Sequence, residues 1–371
     1  MEPSHTANQL PQTGSRLPQV DMLRGFALLG IGLENIFTIH SPNEVFAQYA
    51  TQYPEGLNHY LITGLMLLVR GKFYPIFSLV FGIAFAFSLA KDGPLYFTKR
   101  LGVFLALGLL QVLFVWTGDV LLQYAAMGLL LVFCRNLSVR VLLTLSALLL
   151  AFSFLGAGLF PSTTVQLMPP AIYQTGSFWE ISNARITDYC QSVFTWNALL
   201  FYAKIFAFMV LGYAVAKSGF LQKLQRPSIA LKTLAVQAGV VLVMVLLFHV
   251  MSWRGQENPA QSWLKNGFLA VYFYGFVASY SLLPFALPQI LSPLQKLGQF
   301  TLTHYLLQNL VFSLLLYGYG FGLMGTLSPG QLMLVYVMLL ACQVVATAVY
   351  AAYFKLGPME YLVRKLAGWK E

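Results

Sequence analysis

The chain has 371 residues, 58% of them hydrophobic and only 9% charged, against about 25% charged in an ordinary soluble domain. That balance excludes a water-soluble globular fold, and the net charge of +10 reads as topology-determining cations between apolar runs, not as a nucleic-acid-binding surface. Cys134, Cys190 and Cys342 are an odd number without metal-like spacing, so neither a disulfide framework nor a metal site is expected.

Residues 1–20 are polar, contain Pro3, Pro11 and Pro18, and precede any apolar signal-peptide core. They are predicted to be a disordered cytoplasmic tail on a single transmembrane domain, residues 21–371. Ten apolar runs then recur, each suited to a hydrocarbon core about 30 Å thick. They are Met22–Phe37, His59–Ala90, Leu101–Trp116, Val120–Phe133, Val139–Phe160, Ala198–Ala216, Leu231–Met251, Gly267–Leu287, Thr301–Gly320 and Leu332–Phe354. The expected fold is an all-α polytopic membrane protein of about ten transmembrane helices.

The second run is too long for a simple crossing and contains Arg70, Gly71, Lys72 and Pro75, so it is one broken helix or two. Basic residues in short loops mark the cytoplasmic side. Read as one crossing, sixteen of the 22 Lys and Arg fall inside, against Arg185, Arg254 and Lys265 outside. Splitting the run inverts every later loop, so ten crossings with both termini cytoplasmic is favoured. Residues 161–197 then form the one long extracytoplasmic connection, carrying Arg185 and Asp188 and read as a lid or a plain surface loop.

Ionisable groups inside spans are costly and point to cavities or partners. In the first span Asp21 and Arg24 are three apart. Asn35 lies eleven residues beyond Arg24, on the same face and about 16 Å along the axis. Glu34 needs protonation or a basic partner such as Lys72 or Lys204, and His40 is a base or a solvated helix end. Arg70 and Lys72 suit an anionic ligand at a helix break, or snorkel to lipid phosphate. Asp119 is expected to act structurally, at the start of the fourth span. His304 and Gln308 share one face of the ninth span, with Asn309 beside it; they line a cavity or bond neighbouring helices. No Walker loop, HExxH, dinucleotide fingerprint or nucleophile elbow is present.

Five stretches carry a family resemblance: VDMLRGFALLGIGLENI at Val20–Ile36, GKFYPIFSLVFGIAF at Gly71–Phe85, GDVLLQYAAMGLLL at Gly118–Leu131, LGQFTLTHYLLQNLVFSLLLYGYG at Leu297–Gly320 and FKLGPMEYLVRKL at Phe354–Leu366. They resemble the YeiB-like bacterial membrane proteins, the family called domain of unknown function 418, which implies a bacterial inner-membrane location but names no reaction. The first helix and FSLVFG are also distantly similar to membrane acyltransferases of the acyltransferase-3 and heparan-glucosaminide acetyltransferase type. In the acyltransferase-3 pattern an arginine precedes a histidine by eleven residues; here Arg24 matches the arginine and Asn35 stands at the histidine position. Gln299 and His304 stand where the YeiB-like pattern has arginine and asparagine.

What the resemblance implies is an acyltransferase. Arg24 and Lys72 would draw an acyl-CoA donor, His40 or His304 would deprotonate the acceptor, and Asn35 would stabilise the oxyanion. Acyl-CoA is a substrate in this reading and no bound cofactor is expected. The acceptor is a small molecule, a glycan or a lipid. Glu34, Arg185, Gln308 and Asn309 complete the candidate binding set. A transporter or exporter using Glu34 and the ninth span is the alternative, and a non-catalytic envelope scaffold the third reading. The lipid bilayer is the expected partner; nucleic acid is not.

Overall fold

The computed structural model describes residues 18–160, 165, 167–224 and 288–368, with single positions between 226 and 239. All secondary structure among them is helical. Helix α1 (Pro18–His40) opens on a proline, whose fixed φ suits a first helical position. It therefore begins within the predicted tail, of which residues 1–17 lie outside the described residues. After α2 (Asn43–Thr51) and α3 (Gly56–Gly64), a π-helical turn (Leu65–Val69) leads to α4 (Phe73–Phe114).

Helix α4 is two limbs. Gly93 has φ 78° and ψ 170°, a conformation only glycine adopts at no steric cost, and Pro94 follows. In a straight helix Phe85 and Phe97 would lie about 18 Å apart, whereas their ring centroids are 4.8 Å apart, so the limbs run side by side. The third predicted span thus begins near Pro94, not at Leu101. Lys99 and Arg100, read as loop residues, lie on the helix.

The remaining elements are α5 (Leu121–Phe133), α6 (Val139–Leu159), α7 (Pro170–Thr175), α8 (Phe178–Ser192), α9 (Trp196–Lys217), α10 (Phe220–Leu224), α11 (Pro288–Gln299), α12 (Thr301–Leu316), α13 (Pro329–Tyr353) and α14 (Pro358–Leu366). Their starts are set by side chains that take otherwise unpaired amide protons. Ser138 caps α6, Thr195 caps α9, and capping boxes built on Ser177–Glu180 and Ser328–Gln331 open α8 and α13. Among the described residues five helices are long and apolar enough to cross a membrane, namely α1, α4, α6, α9 and α13; α5 and α12 are shorter and also apolar. This gives the chain the character of a membrane protein. The predicted spans Leu231–Met251 and Gly267–Leu287 lie almost wholly outside the described residues.

Helix α1 is the hub, packing on α4, α11, α12 and α13. Its Asp21 end lies against α11 so closely that a Cβ on Gly298 would overlap the Asp21 carbonyl oxygen, and one on Gly25 the Leu294 carbonyl. Such approach through small residues is how helices associate where burial from water supplies no drive. Ser146 and Ser153 of α6 donate to the Ala207 and Leu200 carbonyls of α9, each at 2.9 Å. At the Asp21 end Glu360 of α14 accepts the Leu302 and Thr303 amides at 2.7 and 3.3 Å, satisfying the open start of α12.

The buried apolar residues form two clusters. One runs from Val20 to Ile31 of α1 through α4, α5 and α9 to Tyr305. The other gathers Ile36, Phe37 and Ile39 with α2, α3, Trp116 and the far half of α12. Over the His40 end lie α7 and α8, so the long connection is helical over much of residues 170–192. The Tyr173 carbonyl accepts the Gly318 amide at 2.8 Å, and the Tyr173 hydroxyl donates to Asp188 at 2.5 Å.

Gly298→Ala is expected to lower stability by about 1–3 kcal/mol, the usual cost of overpacking, read as a drop in thermal midpoint in detergent; an unchanged midpoint would show that α1 and α11 have room between them. Burial, with the Asp188 carboxylate, holds the Tyr173 phenol well above its ordinary value of 10.0. Because the folded state keeps this proton longer than the unfolded chain, stability from this contact is present below about pH 10 and is lost as pH rises beyond it. Tyr173→Phe should flatten that alkaline limb of the midpoint-against-pH curve.

Candidate functional site

Between the two apolar clusters lies a layer of polar side chains. Along α1 the lower cluster ends at Ile31 and the upper begins at Ile36, and Glu34 and Asn35 fall in the gap, 6% and 1% exposed. Along α12 the gap between Tyr305 and Phe312 holds Gln308 and Asn309, both fully buried. Between α4 and α5 it holds Asp119, also fully buried.

The layer is organised around α12, which carries a polar chain on each flank. Toward α1 and α5, the Asn35 amide donates to Asn309 at 3.0 Å and Asn309 donates to Asp119 at 3.4 Å. The Tyr305 hydroxyl donates to the same Asp119 oxygen at 2.5 Å and accepts the Val120 amide. The other Asp119 oxygen takes the Leu121 amide at 2.9 Å. Asp119 therefore serves the start of α5, as its position in the sequence suggests, and also ties α5 to α12.

Toward α13, Gln308 donates to Gln343 at 2.8 Å, and Gln343 donates to the His304 carbonyl at 3.3 Å. The Thr347 hydroxyl gives its single proton to the Gln343 carbonyl at 2.6 Å and lies 2.6 Å from His304 Nε2. It can then only accept from that nitrogen, so Nε2 carries the ring proton. The lone pair of His304 is left on Nδ1, which is buried and has no partner among the described residues. His304 sits five residues before Asn309, about 7.5 Å along the helix axis.

Beside the layer the chain breaks. Gly71 has φ 74°, and its amide donates to Glu34 Oε1 at 2.8 Å. Lys72 closes the other side of the break by donating to the Met66 and Arg70 carbonyls, both at 3.0 Å. The Arg70 guanidinium lies 3.9 Å from the centre of the Phe46 ring. Glu34 Oε2 is buried without a partner among the described residues, and Glu34 borders a tight seam with Phe37, Thr38, Leu65 and Arg70 that has no room for a water molecule. The break continues one descent: Asn58 accepts the Gly330 amide near the His40 end, Gly71 meets Glu34, and Phe73 lies against Gly30.

The remaining candidates lie away from the layer. Arg24 pairs with Asp21 at 3.3 Å at the opposite end of α1. His40 Nε2 accepts the Leu327 amide at 3.1 Å, so its other nitrogen carries the proton toward Ser41, 2.7 Å away. Arg185 is fully buried in the α7–α8 cover, where it donates to the Val115 carbonyl at 2.7 Å and to Ser182 at 2.8 Å among the rings of Phe178, Tyr317 and Tyr319. The sequence reading missed Gln343 and Thr347. Their signal was two polar residues four apart in an otherwise apolar tenth span.

A family model described as "Protein of unknown function (DUF418)" matches residues 215–370. Nearly the full length is similar to "Uncharacterized protein YxaH" of Bacillus subtilis (strain 168), 25% identical over 385 residues that cover 95% of this chain and 94% of that one. "Uncharacterized protein YeiB" of Escherichia coli (strain K12) is 25% identical over 386 residues, covering 94% and 95%. A third relative, "Uncharacterized 39.9 kDa protein in amylase 3'region" of Bacillus acidopullulyticus, is also 25% identical, over 366 residues covering 95% and 93%. The C-terminal family match and the full-length likeness to YeiB and YxaH agree with each other and support a YeiB-like DUF418 family.

Proposed function

We propose that this is a ten-span protein of the bacterial inner membrane, with both termini cytoplasmic, that moves an acyl group from a cytoplasmic thioester donor to an extracytoplasmic or lipid-linked acceptor. Eight crossings are supported by α1, the broken α3–α4 descent, the second limb of α4, α5, α6, α9, α12 and α13; Leu231–Met251 and Gly267–Leu287 supply two more. The observation that carries the reaction is the buried polar layer, which holds Asn35 at the position where the acyltransferase-3 pattern has its histidine.

Asparagine cannot take a proton, so the base comes from another helix. His304 has a buried lone pair on Nδ1, whereas that of His40 is engaged by the Leu327 amide. The acceptor hydroxyl gives its proton to His304 as its oxygen bonds to the acyl carbon. The carbon–sulfur bond then breaks, and the same proton leaves with the thiolate as free thiol. One N–H of Asn35 is spent on Asn309; the second is left for the developing oxyanion. Arg24 and Lys72 favour the anionic donor, and Gln308 and Glu34 offer unfilled oxygens to the acceptor.

The test is free-thiol release from acetyl-CoA by the purified protein in liposomes supplied with candidate hydroxylated acceptors. His304→Ala should lower the rate by about 10² to 10⁴, the usual worth of a general base. His40→Ala should lower thermal stability and leave turnover within a few-fold. Turnover at the wild-type rate in both variants and in the double variant would remove the assigned roles.

Transport is the second reading, favoured by one observation: an unpartnered, buried carboxylate oxygen on Glu34 beside a discontinuous helix, the arrangement at which transporters bind solute or coupling ion. Under it, solute efflux in cells expressing the protein is expected to vanish in Glu34→Gln while thiol release is absent in every variant. Efflux indifferent to this substitution would leave acyl transfer as the reading.

A further inference from the structure

The Asp21 end carries a groove that neither reading uses. One wall is a single face of the second limb of α4, formed by Lys99, Gly102, Val103 and Ala106, and the other is the end of α14, formed by Leu366, Ala367 and Gly368. The first four are spaced i, i+3, i+4 and i+7, so they align along the helix over about 10 Å. The floor is open because Gly102 has no side chain: a Cβ built there would meet nothing within 4 Å. Past Ala106 the same stripe continues onto Leu109 and Leu110, 49% and 51% exposed.

The rim has the opposite character. Lys99 and Lys365 are exposed there. Arg100 has a buried Nε with no partner among the described residues, and its charge is felt by Arg364 and Arg24, with Asp92 the nearby acid. Glu360, the acid of α14, is taken up by the start of α12. A cationic rim above an apolar track is complementary to one kind of molecule, an anion with a hydrocarbon chain. Guanidinium and ammonium groups at helix ends are phosphate ligands, and the continuous leucine stripe suits an acyl chain better than a soluble nucleotide.

We infer that this groove is a binding site for an anionic phospholipid, with the phosphate held at Lys99, Arg100 and Arg364 and one acyl chain lying over Gly102, Val103 and Ala106 toward Leu109. The inference rests on the membrane-spanning reading alone and does not require acyl transfer. Its measurement is a binding one, so the two stand or fall separately.

The experiment is native mass spectrometry of the detergent-purified full chain titrated with phosphatidylglycerol or phosphatidylcholine, with thermal midpoints in parallel. One phosphatidylglycerol should be retained in preference to phosphatidylcholine and should raise the midpoint. Lys99→Gln and Arg364→Gln should each weaken retention by about fivefold, the share of one cation near a lipid phosphate. Gly102→Leu should fill the track and expel the lipid without lowering the lipid-free midpoint, with Gly102→Ala as the control that keeps both. Equal retention of phosphatidylcholine would overturn the site. So would phosphatidylglycerol retention unchanged by both Lys99→Gln and Gly102→Leu, or replacement of the lipid by coenzyme A at the same residues.

Discussion

A helix that breaks inside an apolar surround leaves amide protons and carbonyl oxygens that hydrocarbon cannot satisfy, and each such group costs several kcal/mol. Here the break at Arg70–Gly71–Lys72 is closed from within. Glu34 takes the Gly71 amide and the Lys72 ammonium takes two carbonyls. These bonds fix the depth at which the first limb of α4 starts, and so where Phe73 meets α1 and where the limb turns back at Gly93. The second limb ends at Phe114, which sets Asp119 against α12. The position of the polar layer thus follows from how one broken helix is satisfied.

The layer is costly in its own right, since buried polar groups stabilise a fold only when all are paired. Most are paired: Asp119 alone meets Tyr305, Asn309 and the start of α5. Among the described residues the exceptions in the layer are Glu34 Oε2, Asn35 Oδ1, Gln308 Oε1 and His304 Nδ1. They arise from three turns of α1 and α12 between the same two apolar clusters. Among the described residues the network closes on itself except at these four atoms.

Much of the fold was legible because the apolar runs and their caps are local. Ser138, Thr195 and Ser328 mark helix starts within a few residues of the predicted spans, and Gly71 between two cations announced the break. What was not legible is tertiary. The Lys99–Arg100 pair looked like a loop because charge usually ends a span, yet at the edge of an apolar layer a helix can carry cations on its own surface. Arg185 looked like a loop residue open to ligand. Its guanidinium instead closes the end of the second α4 limb through the Val115 carbonyl, a contact seventy positions away. Asn35 and Asn309 were each visible as polar residues in spans, but nothing in either helix alone says that they bond to each other.

The two histidines show why position in a helix is a weaker guide to chemistry than the state of a lone pair. His40 ends α1 and His304 lies within α12, and both are nearly buried. In the sequence either His40 or His304 could replace the missing base. The acceptor nitrogen of His40, however, holds the loop before α13 by a backbone amide, and a base whose lone pair is engaged must first break that bond. His304 gives its ring proton to Thr347 and is held in one orientation by α13, so its free nitrogen is fixed before any substrate arrives.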